Sequence, residues 1–141
     1  MRDILARKGS AIFSVEPGAT VLEAARLMNE RVVGGVLVLV GAEAVGIFTE
    51  RDVLRRVVAE RRDPAATTVR EVMTSPVLVC RPDTSVEDCA AIMTSRRIRH
   101  LPVGDGAGLQ GVVTIGDVLA FQVAEQETTI EALSRYVYDV R

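Results

Sequence analysis

Two nine-residue stretches hold the residues best suited to chemistry. Residues 46–54 read GIFTERDVL and residues 111–119 read GVVTIGDVL, so Thr49 and Asp52 recur as Thr114 and Asp117, 65 positions on. An apolar run leads up to each Thr and an apolar helical side follows it. That order places Thr at a helix N-cap and Asp at the third helical position. The first turn of a helix leaves N–H groups without intrahelical partners and carries the positive end of the dipole, so such a corner suits an anion. A Thr hydroxyl can donate to a phosphate oxygen. A carboxylate one turn away can accept both hydroxyls of a ribose cis-diol. Phosphate and ribose at that separation describe a nucleotide. Thr-x-x-Asp is equally an ordinary capping pair, whose cap residue contributes about 0.5–2 kcal/mol to helix stability. Duplication copies caps as faithfully as sites, so spacing alone leaves both readings open.

Other chemistries find little support. His100 is the one histidine, and no activated Ser or Cys stands in a pattern with it, so a hydrogen-bonding role is expected rather than a catalytic one. Cys80 and Cys89 form no Cys-x-x-Cys, which argues against a metal site built from one chain. Cys89 falls on an apolar helix stripe and reads as a small core residue. The formal net charge of −2 gives no global basic field for nucleic acid or anionic lipid. The basic residues are sixteen Arg and one Lys, several in pairs that suit a solvated helix face or a phosphate. RRIRH at 96–100 lacks the interleaved aromatics of a base-stacking platform. No apolar run approaches a membrane span and MRDILARKGS is no signal peptide, so a cytoplasmic protein with reduced thiols is expected.

The elements that must position the two corners are themselves repeated. At the same offset Pro17 falls on Pro82, Val21 on Val86, Ala25 on Ala90, Met28 on Met93, Arg31 on Arg96, Val38 on Val103 and Gly46 on Gly111, with no gap. Two copies are too few for a solenoid, so they are expected to pair as pseudo-twofold halves. Each copy predicts β-α-β-β-α. A first strand lies at 11–15 or 76–80. A helix is capped by Thr20 or Ser85, with the stripe Val21, Ala24, Ala25, Met28 or Val86, Cys89, Ala90, Met93. A hairpin follows, 36–40 with 44–48 or 100–103 with 109–113, turning at Gly41 or in GDGAG. The last helix has Val53, Leu54, Val57, Val58 or Val118, Leu119 as its apolar side. RRDPAATTVR at 61–70 reads as a linker. The tail has no repeat partner. Its Ile130, Leu133, Val137 and Val140 follow heptad spacing, suiting either packing on its own module or a homodimer contact.

The repeat resembles a tandem pair of CBS domains, named after cystathionine β-synthase and together called a Bateman module, over about residues 8–125. The likeness rests on G-h-h-T-x-x-D-h-L at 46–54 and 111–119, the stripes ending in Met28 and Met93, VMTSPV at 72–77 and RRIRHLPV at 96–103. It is similar in particular to short stand-alone bacterial proteins made of little else. The resemblance implies an α/β (α+β) fold: repeat 1 at 8–62, a linker at 63–70, repeat 2 at 71–126 and a C-terminal helix at 127–141. It also implies a regulatory module rather than an enzyme, with no metal or catalytic cofactor. The expected ligand is an adenine nucleotide, AMP, ADP, ATP or NAD(H), with an effector protein in trans. Thr49 and Asp52 would hold phosphate and ribose in one cleft, Thr114 and Asp117 in the other. Lys8 to Ile12 with Gly34 and Gly35, and Ser75, Pro76 and Val77 with His100, Leu101 and Pro102, would line the adenine slots. Arg51 is a phosphate candidate, and Arg97 and Arg99 could reach across from the neighbouring copy. The copies differ, Glu50-Arg51 against Ile115-Gly116 and Gly34-Gly35 against Arg99-His100, so unequal clefts are expected. A ligand-independent interaction scaffold is the alternative.

Overall fold

The computed structural model describes the backbone of residues 1–8 and 11–139; the side chains of 7, 8, 131, 132 and 134–139 lie outside the described set. In chain order the elements are α1 (Arg2–Lys8), β1 (Ser14–Val15), α2 (Val21–Arg31), β2 (Gly35–Val40) and β3 (Glu43–Thr49). Next come α3 (Glu50–Asp52), which runs into a π-helical segment at Val53–Val58, then α4 (Val69–Val72) and α5 (Val86–Arg96). Last are β4 (His100–Asp105), β5 (Gly108–Thr114) and α6 (Ile115–Asp139).

The 65-residue offset governs the backbone as well as the sequence. Hairpin β2–β3 pairs Gly35 with Thr49, and β4–β5 pairs His100 with Thr114. Both slip register at the matched positions Val38/Leu39 and Val103/Gly104. Gly41 and Gly108 turn the hairpins at φ 61° and 117°, a region that costs glycine nothing. Thr20 and Ser85 accept the Glu23 and Asp88 N–H groups at 3.1 Å and so cap α2 and α5. Both helices end on a left-handed residue, Val32 and Arg97, at φ 55° and 54°.

The first strands are shorter than the apolar runs predict. β1 keeps only Ser14–Val15, parallel to β2, and the 76–80 run keeps one parallel bridge, Cys80 to Val103. That bridge matches the Val15–Val38 pair of the first copy. Just ahead of the second run the backbone takes a different partner, where Thr74 pairs with Ile47 of β3 in both directions. The apolar side of the last helices is also narrower than predicted. Val57 and Val118 are buried, but Leu54, Val58 and Leu119 face outward.

Two cores form, one per copy, and each takes a helix from the other side of the chain. Val21, Ala24, Met28, Val36, Val38, Phe48 and Val57 pack with Val69 and Val72 of α4. Cys80, Cys89, Met93, Leu101, Val103, Val113 and Val118 pack with Met1, Ile4 and Leu5 around α1. The helix leading into each repeat thus seats on the other repeat, tied by Val69 N–H to Ala19 C=O at 2.8 Å and Arg2 N–H to Pro82 C=O at 3.2 Å. Cys80 and Cys89 are free thiols in the second core. The hydrogen bond to Cys80, and then burial, push the Cys89 pKa well above the usual thiol range.

Candidate functional site

Each strand-to-helix corner is built by the end of a hairpin. The tight β2–β3 and β4–β5 pairing fixes where Thr49 and Thr114 leave the sheet. The chain then turns into α3 or α6, because the Thr and Asp satisfy the first-turn donors locally. In the second copy Thr114 N–H donates to Asp117 Oδ2 at 2.8 Å, and Asp117 N–H donates to Thr114 Oγ1 at 3.2 Å. Ile115 N–H donates to Arg99 C=O at 2.9 Å. These bonds leave Gly116 as the first-turn donor they do not use, so the corner offers fewer open N–H groups than a bare helix end would. The Thr114 hydroxyl accepts in this arrangement, and its own proton is not spent on that bond.

The first-copy corner is more closed. Asp52, 5% exposed, accepts Thr49 N–H at 3.0 Å and the Thr49 hydroxyl at 3.3 Å on Oδ2, and the Thr74 hydroxyl at 2.9 Å on Oδ1. Arg56 Nε stands 3.8 Å from Oδ1. Both oxygens that would take a ribose diol are engaged by the chain.

A cavity of about 530 Å³ lies where the two copies meet. One wall is Ala11, Phe13, Gly34 and Gly35 from the first copy. The other includes Arg99, His100, Thr114 and Asp117 from the second. The volume sits inside the range of about 300–1,000 Å³ common for small-molecule sites. The imidazole of His100 lies over the Gly34–Gly35 backbone: a Cβ at Gly34 would be 3.4 Å from its Nε2, and one at Gly35 3.4 Å from its Cδ2. A side chain at either glycine would crowd this wall, so the Gly-Gly pair opens the cavity opposite Asp117.

The predicted site residues therefore separate. Thr114, Asp117, Arg99 and His100 come together with Gly34 and Gly35, across the copies rather than within one. Ile12 does not line the cavity, although its neighbours Ala11 and Phe13 do, as alternation along an extended chain requires. Pro102 is buried within β4, and Pro76 and Val77 lie outside the lining. Thr49 and Asp52 also lie outside it. Arg51 does not reach the cavity; its Nη1 donates to the Arg97 carbonyl at 2.6 Å and so bridges the copies. The Lys8 side chain lies outside the described residues. Phe13 was not among the predicted residues, and its signal was its place two positions from Ala11 in an extended apolar run.

Among the described residues no group of His, Cys, Asp and Glu is placed to hold a metal ion, and no helix is long and apolar enough to cross a membrane. A sequence profile for the CBS domain matches residues 2–59 and again 69–124. The chain belongs to the CBS domain family. Its two CBS repeats take in α1 and α4, the helices that cross to the opposite core. A mitochondrial CBS domain-containing protein of Arabidopsis thaliana, CBSX3, is 35% identical over 123 residues, 84% of this chain, and the chain spans 60% of that protein's length. A solved CBS-domain structure from Burkholderia ambifaria MC40-6 superposes with a TM-score of 0.86 at 41% identity, covering 89% of this chain and 95% of that one. A CBS domain protein of Pyrobaculum aerophilum, solved in complex with AMP, superposes with a TM-score of 0.72 at 28% identity, covering 82% and 87%.

Proposed function

We propose that the chain is a cytoplasmic regulatory module that binds an adenine nucleotide in the cavity between its CBS repeats and passes the bound state to an effector protein in trans. The supporting observation is that Thr114 and Asp117 open into a nucleotide-sized cavity walled by both copies. In this reading Asp117 accepts the ribose hydroxyls. The Thr114 hydroxyl, the Gly116 N–H and Arg99 face the phosphate. The purine lies along Ala11, Phe13, Gly34 and Gly35 with His100 beside it. AMP is the first candidate among AMP, ADP, ATP and NAD(H), because a structural neighbour carries it. The Thr49–Asp52 corner acts as a cap, since its carboxylate is already satisfied.

A ligand touching both copies changes their relative disposition only by as much as it binds one arrangement better than the other. The reading includes a homodimer. Leu54 and Val58 are exposed at the positions matching Leu119 and Val123, which leaves apolar surface on the last helix of both repeats. Thermal melting with each nucleotide tests the proposal. A true ligand at about 100 Kd adds about 2.7 kcal/mol, a rise of about 9 °C for a chain of this size. Flat curves for every adenine compound would support the ligand-independent scaffold instead.

A further inference from the structure

The two cysteines of the second core are neighbours, and the repeat does not require them. Cys80 runs beside β4: its N–H donates to the Pro102 carbonyl and its own carbonyl accepts the Gly104 N–H, both at 2.9 Å. Cys89 sits in α5, its N–H on the Ser85 carbonyl at 3.0 Å. Between them the Thr84 N–H donates to the Arg81 carbonyl at 3.0 Å, a tight turn that folds the helix back over the strand. Both side chains enter the same core, where the two thiols share a hydrogen bond. Their repeat mates are Val15 and Ala24, which hold the same positions against the core of the first copy. Packing alone is met there without a thiol.

We propose that Cys80 and Cys89 form a reversible oxidation site, which a small peroxide closes to an intramolecular disulfide. The surroundings assign the roles. Cys80 is 6% exposed and Cys89 0%, so an oxidant meets Cys80 first. The hydrogen bond from Cys89 holds the Cys80 thiol below its usual pKa against the opposing pull of burial, which favours the attacking thiolate. Hydrogen peroxide is little larger than water. The short helix α1, seated on this core through Met1, Ile4 and Leu5, needs only to open locally to admit it. The Cys80 thiolate attacks one peroxide oxygen, the O–O bond breaks, and the departing hydroxide takes up the Cys80 proton as water. Cys80 is then a sulfenic acid, oxidised by two electrons. The Cys89 sulfur attacks the Cys80 sulfur; the S–S bond forms, the S–O bond breaks, and the hydroxyl leaves with the Cys89 proton as a second water. Neither cysteine lines the cavity between the copies, so the site stands apart from the nucleotide reading.

The full chain, reduced and then freed of reductant, is treated with hydrogen peroxide, denatured in maleimide and weighed intact. The expected product is a single chain that has lost two hydrogens and takes up no maleimide, and dithiothreitol restores both thiols. Arg81 precedes Pro82, a bond that trypsin spares, so both cysteines stay in the peptide 71–96 and the loss is located there. Cys89→Ala and Cys80→Val set the first copy's residues in these places. Cys89→Ala stops at the Cys80 sulfenic acid, which dimedone traps, and Cys80→Val leaves Cys89 a thiol. Circular dichroism checks the fold of each, and the wild-type result stands whether or not either variant folds. Two maleimide-reactive thiols in the peroxide-treated wild type, oxidation to sulfonic acid without a disulfide, or a disulfide only between chains would overturn the inference.

Discussion

Replacing Asp117 and Asp52 by Asn, one at a time, separates binding from folding. The two aspartates are repeat mates with the same local capping role, yet their surroundings differ. Asp117 lines the cavity. Asparagine at 117 keeps a side-chain carbonyl for the Thr114 N–H bond, now 2.8 Å, and loses mainly the negative charge near the helix N-terminus. That loss costs about 0.3–1 kcal/mol, or about 3 °C at most. Toward a ribose the same change turns two hydrogen bonds to a charged acceptor into weaker bonds to a neutral amide. At about 1–1.5 kcal/mol each, affinity for AMP falls about 30- to 150-fold. At Asp52 the balance reverses. Its carboxylate accepts three hydrogen bonds on two oxygens while 5% exposed; an amide –NH2 at Oδ2 faces the Thr49 N–H and one at Oδ1 faces the Arg56 guanidinium, so one of these donors loses its acceptor even if the Thr74 hydroxyl turns round to accept. One broken buried bond costs about 1–3 kcal/mol, a fall of about 3–10 °C. Binding of AMP to the folded protein stays within about twofold. Isothermal titration gives the affinities and calorimetric melting gives the stabilities. If Asp117→Asn binds AMP like the parent, or Asp52→Asn melts unchanged and loses AMP, the division of roles is wrong.

Further outcomes follow from single contacts. Gly34→Leu places a side chain into the cavity beside His100 Nε2 and Glu50, so AMP binding is lost while circular dichroism is unchanged. Val32 is a β-branched residue at φ 55° and 89% exposed, so Val32→Gly relieves left-handed strain and raises the melting temperature by about 3 °C, close to 1 kcal/mol. Cys80 and Cys89 are buried free thiols, so Ellman's reagent titrates none in the native protein and two after denaturation. A fast-reacting native thiol would contradict the packing of the second core.

Much of this arrangement is legible in residue types. The Thr20 and Ser85 caps, the Met28 and Met93 stripes and both hairpins sit where the repeat places them, because each depends on contacts within a few residues or on one helix face. What escapes the sequence depends on contacts across the molecule. The crossing of α1 and α4 had a signal in Ile4 and Val69, apolar residues 65 apart, but nothing local says which core receives them. The cross-copy cavity arises from the way the halves face each other, so Gly34 and Gly35, although Gly35 pairs with Thr49 in its own hairpin, share a cavity with Thr114 and Asp117. The closure of Asp52 needs Thr74, 22 residues on, a contact that no local spacing marks. Leu54, Val58 and Leu119 look like core by spacing. Their exposure reflects a helix that presents one narrow face inward.

A crystal structure of the protein grown with AMP tests the central claim most directly. The account predicts density for one nucleotide between the repeats, with both ribose hydroxyls within hydrogen-bonding distance of the Asp117 carboxylate and the purine beside Gly34 and Gly35. Nucleotide density seated on Asp52, or none at saturating AMP with the cavity filled by the chain's own side chains, would contradict it.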